Sequence, residues 1–199
     1  GKNRRRWFVY CGIGGKLMKI VCLGDSITWG FPFGPQDSWV AMLQKQLQVE
    51  IINRGINGNT TSDMLARFDR HVLQAQPTHL ILMGGINDVV CQDSFDLITY
   101  NIQTMVEKAL AAGITVILGT PTAVDYPPWE RILQRLREWI HRLAEQHNLQ
   151  VIDFHKAFYD QEGNLRTDLL LPDGGHPTRS GYQAIYDQID LSIFKSPTS

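Results

Sequence analysis

From Lys19 onward, short β-branched apolar runs alternate with longer stretches in which apolar residues recur every three or four positions. The runs at 19–23, 50–53, 79–83, 115–118 and 150–152 have the length and residue types of buried strands. Between and after them the periodicity predicts helices near 37–48, 62–74, 94–112, 129–147 and 179–194. Helix 129–147 is the clearest case. Ile132, Leu133, Leu136, Ile140, Leu143 and Ala144 form one apolar stripe, and Glu138 stands four residues before Arg142. Strands that alternate with helices imply βαβ units, and so an α/β domain with a parallel sheet covered by helices on both faces.

In such sheets ligands bind at the carboxyl ends of the strands. Five polar, glycine-rich segments fall on that edge: Gly24-Asp25-Ser26, RGINGNT (54–60), GGIND (84–88), TPTAVDYPPW (120–129), and PDGGHP (172–177) at the end of the last long connection. No repeat, low-complexity tract or interdomain linker interrupts the plan.

Composition narrows the class. The chain has 199 residues, 43% hydrophobic and 20% charged, which suits one globular domain. Its formal net charge of −1 provides no field for nucleic acid or anionic lipid. No apolar run reaches the roughly 18–20 residues that span a bilayer, so stable membrane insertion is not expected. Cys11, Cys22 and Cys91 are too few and too scattered for a disulfide framework or a zinc site. Residues 1–17 differ from the rest, being basic, then briefly apolar, then glycine-rich. They lack the apolar stretch and cleavage site of a signal peptide and are expected to be a tag- or leader-like extension, with a natural start at Met18 and a domain over 18–199. A cytoplasmic location is the matching expectation. The sequence carries no signal of oligomeric state.

The stretch GDSITWG (24–30) places Ser26 in a strand-to-helix turn, with Gly24 and Gly30 relieving crowding around it. A serine there can be a nucleophile, pushed out over the sheet edge with backbone N–H groups beside it, or simply a helix cap. It is not the Gly-x-Ser-x-Gly elbow, because position 28 is Thr28. A nucleophilic serine needs a base, and six histidines are available. His71, His141 and His147 lie in helical patterns and His79 opens a strand, while His155 follows the last strand. His176 lies on the loop edge three residues after Asp173, where a carboxylate can hold the imidazole tautomer; the same Asp-x-x-His pair also suits a turn that starts a helix. Gly58 and Asn87 can supply N–H donors to an oxyanion, together with the N–H of Ser26, although each of these loops is also a plausible turn. Asp88 is read as orienting its loop.

Taken together, 24–30, 55–60, 84–88 and 173–177 resemble the four blocks of the SGNH hydrolases, the GDSL lipase and esterase family, in order and spacing across nearly all of 18–194. The resemblance implies Ser26 as nucleophile, Gly58 and Asn87 as oxyanion donors, and His176 and Asp173 as base and third triad member. It also implies a flavodoxin-like α/β/α sandwich with strand order 2-1-3-4-5, and no metal or cofactor. Trp29, where the family often carries a small residue, and Ile86 before Asn87 are the departures.

The expected activity is that of a serine esterase or acylhydrolase acting through an acyl-enzyme on a small-molecule ester: short-chain esters, lysophospholipids or thioesters. Trp29, Phe31, Tyr126 and Trp129 are candidates for lining its pocket, with packing beneath the loops as the alternative. A carbohydrate acetylesterase of the same fold, a non-catalytic binding module, and a metal-dependent hydrolase using Asp25, Asp88, Asp173 and His176 are the other readings.

Overall fold

The computed structural model describes residues 17–195; apart from Leu17, the expected amino-terminal extension lies outside them. The strands are β1 (Lys19–Gly24), β2 (Glu50–Gly55), β3 (His79–Leu82), β4 (Thr115–Gly119) and β5 (Gln150–Ile152). They pair in parallel in the order β2-β1-β3-β4-β5. The helices among the described residues are α1 (Ser26–Trp29), α2 (Trp39–Leu47), α3 (Thr61–Ala66), α4 (Phe68–His71), α5 (Ile86–Val90), α6 (Phe95–Ala111), α7 (Pro127–His147) and α8 (Arg179–Asp187).

The strands are continuous apolar runs because both faces of the sheet are buried. Successive side chains point to opposite faces, which divides the core in two. Ile20, Cys22, Ile81 and Ile117 face α2, α8 and the 154–158 turn, packing with Trp39, Leu43, Phe154 and Tyr182. Val21, Leu23, Leu80, Leu82, Val116 and Leu118 face α3, α4, α6 and α7, packing with Met64, Phe68, Ile102 and Leu136. Each large apolar side chain buried this way contributes about 1.5–3 kcal/mol. The connection from β1 to β2 therefore runs over one face, and those from β2 to β5 run over the other. The order reverses between β1 and β3, and a crevice opens there at the carboxyl ends of the strands.

Several expected boundaries shift for local reasons. The helix expected at 62–74 breaks into α3, α4 and a short 3-10 turn at Leu73–Ala75. Arg67, at the break, has φ −105° and ψ 7° and turns its guanidinium toward the site instead of continuing the helix. The helix expected at 179–194 stops at Asp187, and Leu191–Phe194 forms a separate 3-10 turn capped by Asp190. At the start of α2, Ser38 accepts from the Ala41 N–H, so the residues before it form a 3-10 turn. The last helix of the β4–β5 crossover begins two residues early, at Pro127, because proline suits the first positions of a helix. α1 and α5 were not expected, since four or five residues are too few to show a period.

Candidate active site

β1 ends in a turn pressed directly on its neighbours. A Cβ on Gly24 would come 2.2 Å from Thr28 Oγ1, and one on Gly55 would come 2.2 Å from the Trp29 nitrogen. Only glycines at the ends of β1 and β2 let α1 sit this low on the sheet edge. Asp25 caps α1, its carboxylate accepting from the Ile27 N–H at 2.9 Å. Ser26 is thus the first residue of α1. It is buried, and its N–H donates to no protein acceptor among the described residues.

Ser26 Oγ lies 2.9 Å from His176 Nε2, although 150 residues separate them. The other ring nitrogen, Nδ1, lies 2.5 Å from Asp173 Oδ2. Asp173 Oδ1 accepts the backbone N–H groups of Gly175 and His176, each at 2.9 Å, so the loop is a small carboxylate-centred turn. Burial pushes the Asp173 carboxyl up, but the His176 and Gly175 N–H donors and the His176 ring outweigh it and hold the group below the usual carboxylate range. An ionised Asp173 accepts a hydrogen bond from the Nδ1–H, which leaves the Nε2 lone pair facing the Ser26 hydroxyl.

The loop after β3 brings Asn87 to the same crevice. One N–H of its amide donates to Asn59 O at 2.9 Å, which leaves the second for a ligand. Asp88 beside it is fully buried and accepts from the Thr61 N–H at 2.9 Å and from the Thr61 hydroxyl at 2.5 Å, tying this loop to the start of α3. Its carboxyl is pushed up by burial and partly drawn back by the Thr61 donors. Asp88 therefore orients, as expected. Gly58 lies one residue before Asn59 and is not on the cleft wall; its N–H, like that of Ser26, has no protein acceptor among the described residues.

A cleft of about 230 Å³ opens beside Ser26. Ile86, Asn87, Val90, Val124, Tyr126 and Trp129 line it together with Asp173 to His176. Tyr126 and Trp129 meet edge to face, ring centroids 4.7 Å apart. The other two aromatic candidates do not line the cleft: Phe31 packs its ring 4.6 Å from that of His176, and Trp29 is not on the wall. Trp39 is fully buried against Phe154, and Phe33 lies under the Arg179 guanidinium.

Of the remaining histidines with described contacts, His71 bonds Arg67, His79 bonds Thr78, His141 bonds Asp153 and His155 bonds Thr120. Among the described residues no three His, Cys, Asp or Glu side chains converge as a metal site would require, since Asp25 caps α1 while Asp88 is turned to Thr61.

Three supports lay outside the sequence reading. The Tyr182 hydroxyl donates to Phe31 O at 2.6 Å and reaches Ser26 O at 3.4 Å. Asn53 donates to Thr28 O at 2.9 Å, and Arg67 donates to Gly24 O at 2.9 Å and Asn59 Oδ1 at 2.8 Å. Tyr182 and Arg67 carry no local signal, because their partners are distant in the chain. Asn101 was detectable as a buried amide within the apolar stripe of α6, where it donates to Thr61 Oγ1 at 3.1 Å.

Asp25 is a buried carboxyl raised well above the usual carboxylate range. Burial pushes it to about 6, opposed by the Ile27 N–H and the His176 charge and reinforced by Asp88. The folded protein keeps this proton to about pH 6 whereas the unfolded chain releases it near 3.8, so stability falls as pH rises through that window. Asp25→Asn keeps the cap acceptor and cannot ionise. Its melting temperature should exceed that of the parent at about pH 8, by up to about 3 kcal/mol of stability, and the gap should close below about pH 4. Thermal melts at both pH values check this; a gap of the same size at both would mean that Asp25 is not ionised by a burial-opposed titration.

Comparison with known proteins places this geometry. An acetylxylan esterase of Geobacillus stearothermophilus is 28% identical over 199 residues, covering 84% of this chain and 90% of the relative. An esterase of Pseudomonas aeruginosa is 25% identical over 176 residues, 85% of each chain. The solved lipase/acylhydrolase from Enterococcus faecalis superposes with a TM-score of 0.77 at 28% identity, covering 89% of this chain and 95% of its own. No helix among the described residues is long and apolar enough to cross a membrane. With a family match over residues 22–184, the chain belongs to the GDSL-like lipase/acylhydrolase family and is a carboxylic ester hydrolase.

Proposed function

We propose that Ser26 is the nucleophile, His176 the general base and acid, and Asp173 the group that holds the imidazole. The observation that carries this reading is the unbroken chain Ser26 Oγ, His176 Nε2, His176 Nδ1, Asp173 Oδ2 beside N–H groups without protein acceptors among the described residues. As Ser26 Oγ attacks the ester carbonyl, its proton passes to His176 Nε2, and Asp173 offsets the imidazolium charge. The tetrahedral oxyanion is met by the Ser26 N–H, the free amide N–H of Asn87 and the Gly58 N–H. Each such donor is commonly worth roughly 10²–10³ in kcat. The imidazolium then protonates the departing alcohol, and the acyl-enzyme remains on Ser26. Water, deprotonated by His176, attacks that carbonyl and releases the acid, restoring the hydroxyl.

The cleft beside Ser26 takes the acyl group in this reading. At about 230 Å³ it is smaller than the roughly 300–1,000 Å³ of drug-sized sites, which favours short acyl chains, including single-chain acyl esters and thioesters that enter end-on. A carbohydrate acetylesterase is the second reading. It is favoured by the acetylxylan esterase relative and needs no change in chemistry, only a sugar as the leaving alcohol. Acetate release from an acetylated xyloside, compared with hydrolysis of ethyl esters of rising chain length, separates the two. A cytoplasmic location, consistent with free thiols at Cys22 and Cys91, completes the reading and is tested by fractionation.

Fluorophosphonate treatment followed by peptide mass mapping tests the nucleophile. A single adduct on the peptide carrying Ser26, absent from Ser26→Ala, is expected. A folded protein that takes no adduct, or takes it elsewhere, would refute the assignment and leave Ser26 as no more than the first residue of α1.

A further inference from the structure

The segment from Thr120 to Val124 is buried, yet it belongs to no strand. Thr120 N–H donates to Ile152 O at 3.0 Å, and after it the chain leaves the sheet and its backbone polar groups lose their ladder partners. Buried peptide groups must be paired, because each orphan costs about 1–3 kcal/mol. Here the partners are two side chains of α7. Arg137, almost fully buried, donates from Nε to Pro121 O at 2.9 Å and from Nη2 to Thr122 O at 3.2 Å. Glu130 Oε1 accepts the Val124 N–H at 3.2 Å.

The two side chains also grip each other, with Arg137 Nη1 and Nη2 each 2.8 Å from a different Glu130 oxygen. The Tyr159 hydroxyl closes the set by donating to Glu130 Oε2. Burial and the neighbouring Glu130 carboxylate push Tyr159 up to about 12, so the hydroxyl keeps its proton and its role as donor. The fork matters more than the charge. Four of the five Arg137 N–H groups are engaged in a fixed plane, which a lysine ammonium cannot reproduce.

What this pair holds is the wall of the cleft. Val124 and Tyr126 line it, and Trp129 follows on the first turn of α7. Between them, the Asp125 N–H donates to Gly174 O at 2.7 Å, joining the wall to the loop of Asp173 and His176. Neither Arg137 nor Glu130 lies on the cleft, so they act on it only through backbone.

We infer that the Glu130–Arg137 pair is a specificity-determining clamp: by pairing the carbonyls of Pro121 and Thr122 and the N–H of Val124, it sets the distance of the Val124–Tyr126–Trp129 wall from Ser26 and so the acyl chain accepted. The inference rests on Ser26 as nucleophile with the acyl group in the cleft. Glu130 and Arg137 are positioning residues, and their loss should fall on KM for long acyl groups more than on the chemical step.

The test compares the parent with Arg137→Lys and with the paired Glu130→Leu/Arg137→Met. Replacing both charges by apolar groups avoids the buried lone charge that a single neutral substitution would leave. Two readouts are taken: the rate of Ser26 labelling by a small fluorophosphonate, and kcat and KM on ethyl acetate against the longest ethyl ester, up to hexanoate, that the parent hydrolyses. Both variants should lose selectivity for the long ester over acetate by at least about tenfold, the scale of one misplaced apolar contact, with KM carrying the change and labelling falling less. Failure of Arg137→Lys to rescue marks the fork, not the charge, as the working feature. Folded variants whose selectivity stays within about twofold of the parent, or that lose labelling, acetate and long-ester turnover in equal measure, would overturn the clamp. If the paired variant does not fold, Arg137→Lys decides by the same criterion. A parent that takes no label on Ser26 fails at the earlier reading, which is thereby distinguished from failure of the clamp.

Discussion

Ser26→Ala and His176→Ala should each lower turnover of an activated ester by roughly 10⁵–10⁶, and the double substitution should cost no more than either alone. The reason lies in the single 2.9 Å contact between Ser26 Oγ and His176 Nε2. A serine hydroxyl is too weak an acid to attack a carbonyl unless its proton leaves as the bond forms, so removing either partner removes the same step. What remains is the stabilisation offered by the N–H groups, which raises the rate of water attack by roughly 10³–10⁴ over the uncatalysed reaction. Single-turnover measurements on purified variants, with melting curves to confirm folding, provide the comparison. Losses that multiply would show that the two residues serve separate steps.

Asp173→Asn should cost roughly 10⁴ in kcat while the protein stays folded. The amide oxygen can still accept the N–H groups of Gly175 and His176, which bond Asp173 Oδ1 at 2.9 Å, so the loop keeps its turn. The amide nitrogen then faces His176 Nδ1 as a donor. That forces the ring proton onto Nε2, where it confronts the Ser26 hydroxyl with no lone pair to receive a proton. Since the ring and the backbone donors hold Asp173 below the usual carboxylate range, its carboxylate stays ionised and able to accept from His176 Nδ1 at neutral pH. Kinetics at neutral pH and a melting curve for the variant check the prediction. Turnover within about tenfold of the parent would reduce Asp173 to a residue that starts the turn before α8.

The architecture was legible because burial on both faces writes itself into the chain. Each of the five strands appears where a run of apolar residues was expected, and α7 follows its stripe from Leu133 to Ala144. The failures have physical causes. At 62–74 the periodic pattern was present, but the backbone leaves helical geometry at Arg67, whose side chain bonds Gly24 O and Asn59. Trp29 and Phe31 follow Ser26 in sequence, yet neither is on the wall; Phe31 packs on the His176 ring, and the wall is lined by Ile86, Val90, Val124, Tyr126 and Trp129.

For the site, the sequence by itself determined the chemistry-bearing residue types and the strand end to which each belongs. That information is local, since a turn needs its glycines and a carboxylate that caps its own loop lies within three residues of the N–H groups it accepts. Which of those ends meet was settled only by the tertiary structure. Strand order places β1 beside β3, bringing Ser26 to Asn87, and the connection from β5 to the start of α8 brings His176 onto Ser26 across 150 residues. The supports were decided there too. Tyr182, Asn53 and the Glu130–Arg137 pair answer backbone groups that burial would otherwise orphan, and no spacing rule announces which distant side chain will be close enough to do so.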